Sequence, residues 1–268
     1  NKTKAYDDNG HGTHCAGDIA ADGSKSDSLY RGTAPGCNLI GVKVLDSQGS
    51  GFLSTVIQGI QWCIEDKDRY GIRVISLSLG STATLSYEED PVCLAVEEAW
   101  NNGIVVCVAA GNDGPEPRTI SSPGIDPLAI TVGASNDKNS VRFNDDAVAE
   151  FSSRGPTIDD LAKPDVLCPG TNIISLRAPK STLDYSNKTA RVGDDYISLS
   201  GTSMATPICA GIVALMLEAD IRLTPDEIKE IIKSTAKPLP GLSEYEQGSG
   251  LVDAKECVIK VLEKVEEI

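Results

Sequence analysis

Short runs of β-branched residues alternate along the first half of the chain with segments whose apolar residues recur at helical spacing. Strands that alternate with helices in this way are typical of βαβ units, in which helices cover a parallel sheet. The pattern therefore predicts an α/β fold with a parallel β-sheet and helices on both faces. The predicted strands lie at 39–45, 72–77, 104–109 and 128–132, and the predicted helices near 56–64 and 91–101.

The second half of the chain predicts one buried helix and two amphipathic ones. Residues 203–219 are apolar nearly all round, which is typical of a helix at the centre of a fold. The sequence Thr224-Pro225-Asp226-Glu227 supplies an N-cap, a first-turn proline and the acid of a capping box, so a second helix begins there. A third is predicted at 253–266. The loops between these elements are too short to be interdomain linkers, so residues 1–268 are predicted to form a single domain.

Charge and hydropathy exclude two classes of partner. The 268 residues carry 39 acidic and 24 basic side chains, for a net charge of -15. This surplus repels a phosphate backbone, so nucleic acid is not expected as a partner. The longest apolar runs, 104–110 and 208–217, are shorter than the roughly 20 residues of a membrane-spanning helix. No membrane association is therefore predicted.

The cysteines indicate the cellular compartment. There are eight, without any C-x-x-C pair, and Cys107 and Cys209 lie inside apolar runs. Cysteines in such runs are typical of small buried hydrophobic residues, and a core of this size needs no disulfides. We therefore expect reduced thiols and a cytoplasmic location.

The two histidines of the chain lie in the sequence Gly10-His11-Gly12-Thr13-His14. The glycines on both sides of His11 allow another molecule to approach it closely. A capping or buried histidine is the ordinary alternative. A zinc site is disfavoured, because the His-x-x-His spacing and the missing third histidine do not match the zinc-protease helix. We therefore predict no metal ligand here.

Ser203 and Asn112 are candidates for chemistry on a carbonyl group. Ser203 lies where the predicted buried helix begins, and free N–H groups at a helix N-terminus favour developing negative charge. Asn112 follows the predicted strand at 104–109, and its carboxamide can donate a hydrogen bond to an oxyanion. Each residue has a structural alternative, since serine is a common N-cap and asparagine a common turn residue.

Together the three motifs resemble those of the subtilisin-like serine protease family, over nearly the whole chain, and the resemblance is closest to bacterial intracellular subtilases. It implies a subtilisin-like fold and a serine endopeptidase that cleaves polypeptides through an acyl-enzyme. In that mechanism Ser203 is the nucleophile, His11 the general base and Asn112 the oxyanion-hole donor.

The resemblance also implies a substrate-binding surface. Gly49-Ser50-Gly51 and Ser78-Leu79-Gly80 are similar to the two extended segments that pair with the substrate backbone. Ala110 and Gly111 would wall the specificity pocket together with Ser78-Leu79-Gly80. With no acidic group evident at the base of this pocket, broad cleavage after apolar residues is expected.

The triad aspartate is missing from its usual place. In this family it lies on a strand before the histidine motif, and no strand is predicted in the ten residues that precede His11. Asp7 or Asp8 could substitute, although both are close to His11 on the same loop. An N-terminal fragment could instead supply the aspartate. Without it the chain is expected to be nearly inert, and a catalytically inactive peptide-binding protein of the same fold is the alternative function.

No cofactor is expected from the sequence. Residues 21–27 are acidic and turn-like, but they lack the glutamate and the spacing of a calcium loop. A solvated loop is the simpler interpretation. Structural calcium stays open without a supporting motif.

Overall fold

A computed structural model describes residues 5–140 and 143–266. The helices are α1 (His11–Ala20), α2 (Leu53–Glu65), α3 (Lys67–Tyr70), α4 (Pro91–Asn101), α5 (Thr182–Ser186), α6 (Thr202–Ala219), α7 (Pro225–Thr235), α8 (Glu244–Gln247) and α9 (Ala254–Glu266). The strands are β1 (Val74–Leu77), β2 (Val105–Ala109), β3 (Ile130–Asn136), β4 (Ala147–Val148), β5 (Val166–Pro169), β6 (Ile173–Leu176), β7 (Arg191–Val192) and β8 (Tyr196–Leu199).

The central sheet is parallel, as predicted. Strands β1, β2, β3 and β5 run parallel, and the short β4 pairs antiparallel with the end of β3. Helix α6 packs along β1, β2, β3 and β5, while α4 packs on β2 and α2 on α4. Strand β2 is buried along its whole length because both of its faces are covered. The predicted α/β fold is confirmed.

Helix α6 is the centre of the fold, as its composition indicates. In the part of the chain that the structure describes it is the one helix long and apolar enough to cross a membrane, and 67% of it is buried inside the protein. Its apolar side chains contact the sheet, and each fully buried Val, Ile, Leu or Met stabilises the fold by about 1.5–3 kcal/mol. The apolar residues that make α6 suitable for a membrane by composition are, in this protein, packed in the core.

The strand predicted at 39–45 is wrong. These residues form no strand ladder, and Leu39 and Ile40 are 48% and 44% exposed. Strand formation needs a neighbour that accepts and donates backbone hydrogen bonds. The nearest free sheet edge is β1, and a cleft of about 1980 Å³ is lined by both β1 and residues 39–45. We call this cleft the strand slot.

Helix α1 and the second sheet were not predicted. The glycines of α1 lower its intrinsic helix propensity, and packing against α6 and β6 outweighs that cost. A Cβ on Gly17 would lie 2.3 Å from Ser175 Oγ, so only glycine allows this close approach. Strands β6, β8 and β7 form the second sheet, which is antiparallel and leads directly into α6.

Candidate active site

His11 begins α1, and the loop before it is fixed from two sides. The Asp7 carboxylate accepts hydrogen bonds from the N–H groups of Asn9 (3.0 Å), Gly10 (2.8 Å) and Thr13 (2.8 Å). Burial alone would raise the pKa of Asp7, but these bonds outweigh it and the pKa is lowered. Asp7 is therefore an ionised cap of α1.

The second brace of this loop comes from α5. Thr182 N–H donates to Asp8 O and Leu183 N–H donates to Asn9 O, each at 2.9 Å. Gly10 has a φ of 101°, and a Cβ there would lie 2.4 Å from Ser181 Oγ. The tight contact and the left-handed backbone both require glycine immediately before His11.

Neither nearby carboxylate serves as a triad aspartate. Asp7 faces the backbone of α1, and Asp8 forms an ion pair with Lys43 at 2.7 Å. The hypothesis that one of them pairs with the His11 imidazole is therefore wrong, because both are held elsewhere.

The Nδ1 atom of His11 faces a thiol. Cys15 Sγ lies 3.8 Å from it and also donates to Ser203 O at 3.4 Å. Burial raises the pKa of Cys15 to about 12, so this thiol stays neutral. Burial and the neighbouring His14 lower the pKa of His11, and Asp7 partly opposes them. Among the residues that the structure describes, His11 Nδ1 thus has no anionic partner.

Ser203 lies in the first turn of α6, beside the N-terminus of α1. Its hydroxyl donates to Ser78 O at 3.4 Å, and Ser78 Oγ donates to Ser203 O at 2.8 Å. Within the described ranges no hydrogen bond joins Ser203 Oγ to the His11 imidazole. Catalytic hydrogen bonds are often long in unliganded proteins and form with the substrate. The fold therefore brings the two helix ends together, and a rotation of the Ser203 side chain is needed to join them.

Asn112 is oriented for an oxyanion by the first residue of α6. Its Oδ1 accepts hydrogen bonds from Thr202 N (2.9 Å) and Thr202 Oγ1 (3.1 Å). With the oxygen held there, the amide NH₂ points away and is free to donate. Free first-turn N–H groups of α6 lie beside it. An oxyanion can therefore be held between the Asn112 amide and the Ser203 N–H.

Replacing Asn112 by Ala is expected to lower kcat by about 10²–10³ with little change in KM, the magnitude measured in a subtilisin. The amide stabilises charge that develops only in the transition state, so substrate binding is spared. Steady-state hydrolysis of an activated ester measures both constants. Asp113→Asn on the same exposed turn is the matched control, and an equal loss in that variant would contradict the assignment.

Two of the segments predicted to bind substrate line the cleft that also contains His11. They are Gly49-Ser50-Gly51 and Ser78-Leu79-Gly80. The Ser50 backbone is already engaged, because its N–H donates to Asp46 Oδ1 (3.1 Å) and its carbonyl accepts from Asp46 N (2.8 Å). Gly49 N–H also donates to Asp46 O (3.1 Å), so backbone pairing with a substrate on this side is left to the Gly49 carbonyl and to Gly51.

Ala110 and Gly111 have no free backbone group with which to bind a substrate. Ala110 N–H donates to Val132 O (3.0 Å) and Ala110 O accepts from Ser121 N (2.9 Å). Gly111 N–H donates to Thr202 Oγ1 (3.3 Å), and Gly111 O accepts from Ser153 N (3.0 Å). Their backbone groups are bonded inside the fold, so the role as pocket walls stays a prediction.

A metal site at the histidines is not supported. His14 is fully buried, and both of its ring nitrogens contact protein acceptors. Across residues 5–140 and 143–266 no group of three or more His, Cys, Asp or Glu side chains is arranged to hold a metal ion. In the loop at 21–27, Asp22 Oδ1 accepts from Ser24 N at 2.9 Å, which is an ordinary turn contact.

Cys15 and Thr202 are the site residues that the sequence reasoning missed. Both lie beside a motif residue, and neither type is diagnostic alone. Had α1 been recognised as a helix, the i, i+4 spacing of Cys15 from His11 would have placed the thiol beside the imidazole.

The strand slot opens beside His11. One wall is β1, which pairs only with β2 in the described part of the chain and there forms the edge of the sheet. The other wall is segment 39–45, which forms no strand ladder. Among the described residues, the buried hydroxyl of Ser76 on β1 has no hydrogen-bond partner, and Ser76 lines this cleft.

Comparison with known proteins agrees with this geometry. The subtilase family model matches residues 1–250. Serine protease AprX of Bacillus subtilis (strain 168) is 55% identical over 263 residues, which cover 96% of this chain and 59% of that protein. The thermostable alkaline protease of Halalkalibacterium halodurans is 39% identical, over 93% of this chain and 58% of its own length. The chain therefore spans about three fifths of these curated relatives.

Solved structures lead to the same assignment. Sphericase superposes with a TM-score of 0.77 at 29% identity, covering 94% of this chain and 79% of its own. The S41 psychrophilic protease superposes with a TM-score of 0.77 at 26% identity. Since the family model, the relatives and the fold all agree, this chain belongs to the subtilase family.

Proposed function

We propose that this protein is a serine endopeptidase that hydrolyses peptide bonds of polypeptides through an acyl-enzyme on Ser203. The observation that carries the proposal is that Cys15 Sγ contacts both His11 Nδ1 and Ser203 O, which places the N-termini of α1 and α6 side by side. Asn112 is held beside Ser203 by its hydrogen bond from Thr202 N. The relatives whose names describe proteases, AprX among them, support it.

The geometry supports the following sequence of steps. Ser203 Oγ turns from Ser78 O to the His11 imidazole, which takes its proton as the oxygen attacks the scissile carbonyl. The Asn112 amide and Ser203 N–H hold the oxyanion, and His11 then protonates the leaving amine. Water then attacks the acyl group while His11 accepts its proton, and that proton is returned to Ser203 Oγ as the acyl group leaves. The lowered pKa of His11 keeps the imidazole neutral and able to accept a proton near neutral pH.

The strand slot supplies the missing part of the triad in this proposal. Its occupant is an N-terminal fragment in strand conformation, which carries a carboxylate to Nδ1 of His11. Within the described residues, the free edge of β1, the unpartnered Ser76 hydroxyl and the strand-like composition of segment 39–45 support a strand there. The neutral thiol of Cys15 beside Nδ1 supports the need for an anion.

The proposed setting is the cytoplasm, without a cofactor. All eight cysteines are free thiols, which supports a reducing compartment. The mechanism above uses side-chain and backbone groups of the protein, the carboxylate brought by the N-terminal fragment, and water.

A fluorophosphonate probe tests the function, since it reacts with serine nucleophiles activated by a base. Labelling of Ser203, located by peptide mass spectrometry, is expected in the unsubstituted protein and is strongly slowed in His11→Ala. A chelator should leave it unchanged. If Ser203 stays unlabelled even when a carboxylate-bearing strand fills the strand slot, the protein is an inactive peptide-binding subtilase.

A further inference from the structure

His14 lies one turn after His11 and has no direct part in the proposed reaction. Its side chain is fully buried. Nδ1 lies 3.0 Å from Asp18 Oδ2, and Nε2 lies 3.1 Å from Ile173 O and 3.2 Å from Ile197 O. Each ring nitrogen therefore faces an atom that ordinarily accepts hydrogen bonds.

These contacts determine how many protons the site holds. Backbone carbonyls only accept, so Nε2 must carry a hydrogen. A carboxylate facing the lone pair of Nδ1 would be repulsive in a buried site, so a second proton lies between Nδ1 and Oδ2. The two carbonyl oxygens at Nε2 present the negative ends of their dipoles to the ring, which places this proton on the ring. Burial raises the pKa of Asp18, and hydrogen bonds from His14 and Ser175 oppose that rise. With the shared proton on the ring, His14 is an imidazolium and Asp18 a carboxylate.

The same contacts tie the two halves of the active site together. Nε2 of His14 reaches both β6 and β8, and Ser175 Oγ on β6 donates to His14 O at 2.8 Å. Strand β8 ends at Leu199, four residues before Ser203. The helix that carries the proposed base is thus fastened to the strand that leads to the proposed nucleophile.

Few other charges face this pair. On α1 its neighbours are His11 and Cys15, and on the packed helix α6 the titratable groups are Cys209 and Glu218. Strand β6 has none, and the Tyr196 hydroxyl of β8 is bonded to Ser26 Oγ at 3.0 Å. Asp18 is the only ion-pair partner of His14 among the described residues. The nearby positive charge of His14 also lowers the pKa of His11, after the larger effect of burial.

We propose that His14 is a positioning residue of the peptidase: a buried imidazolium, paired with Asp18, that clamps α1 to β6 and β8 and so sets where the His11 imidazole stands relative to Ser203. The catalytic consequence rests on the proposed function, whereas the ionisation state of His14 does not.

Nitrogen NMR of the full chain labelled with ¹⁵N-histidine tests the ionisation state without any need for activity. The chain has two histidines, so one His11→Ala spectrum assigns both. Both ring nitrogens of His14 are expected to carry a proton, as their contacts with Asp18 and the two carbonyls require. A His14 with a single protonated nitrogen would overturn the proposal.

Asp18→Asn tests the link to catalysis. Asparagine keeps the shape of the pair but leaves His14 neutral with its proton on Nε2, so the pKa of His11 should rise. The acid limb of the fluorophosphonate labelling rate should then move up by about one pH unit, a roughly tenfold loss of rate on the acid side.

Two comparisons separate positioning from simple stabilisation. Asp22→Asn makes the same charge change on the exposed loop after α1 and should leave the acid limb in place. Asp18→Glu retains the carboxylate and should return the acid limb of the labelling rate nearly to its pH in the unsubstituted protein. If Asp18→Asn lowers the melting temperature but leaves the acid limb of the labelling rate in place, the link to His11 is refuted. If no variant is labelled, the proposed function is refuted instead.

Discussion

Replacing Ser203 by Ala is expected to lower kcat for peptide hydrolysis by about 10⁶ when the strand slot holds a carboxylate-bearing strand, and by only about 10² when the slot is empty. The two effects differ because nucleophile, base and carboxylate act as a unit, so most of the loss has already occurred once one member is missing. Both magnitudes follow from measurements on a subtilisin, another member of this family. Steady-state kinetics with a fluorogenic peptide measures both.

Ser200→Ala is the matched control for this experiment. Ser200 is exposed, three residues before Ser203, and its Oγ accepts from Asn172 N at 2.8 Å. It contributes to the turn after β8 and not to the reaction, so kcat should change little. If Ser203→Ala retained the activity of the unsubstituted protein, a different nucleophile would have to be found.

Supplying a carboxylate through the strand slot is expected to raise kcat by about 10⁴. The test fuses a strand of about eight residues, rich in Val and Ile and bearing one Asp, ahead of Asn1 through a Gly/Ser linker, so that the slot is filled at high effective concentration. A series of fusions moves the Asp along the strand to find the register that reaches His11 Nδ1.

The same fusions with Asn in place of Asp are the controls. They fill the slot and should raise the melting temperature equally, but they cannot stabilise the imidazolium that forms during catalysis. The active Asp fusion should also raise the pKa of His11, since an opposite charge favours the protonated ring, and move the acid limb of kcat/KM to higher pH. Equal activity of Asp and Asn fusions in every register would show that the slot does not deliver the triad carboxylate.

Local sequence patterns predicted the most deeply buried elements. Helix α6 is apolar nearly all round because most of it is buried, and β2 is a continuous apolar run because both of its faces are covered. The capping box at Thr224 was predicted because both of its hydrogen bonds lie within four consecutive residues. His11, Asn112 and Ser203 could likewise be named from short motifs.

Other features depend on partners that are distant in the chain. Residues 39–45 have strand composition but form no strand, because strand formation requires a second backbone at hydrogen-bonding distance. Asp7 and Asp8 were candidates for the triad until the contacts with the α1 backbone and Lys43 assigned them elsewhere. Composition alone cannot distinguish these outcomes.

The sequence by itself determined the α/β class, the buried axis of the fold and the identity of three reactive side chains, since each is encoded in neighbouring residues. Only the tertiary structure decided how those side chains are oriented and charged. Thr202 turns the Asn112 amide outward, a neutral thiol faces His11, and carbonyls at 173 and 197 complete the environment of His14. Hydrogen-bond direction and ionisation depend on atoms that meet only when the chain has folded.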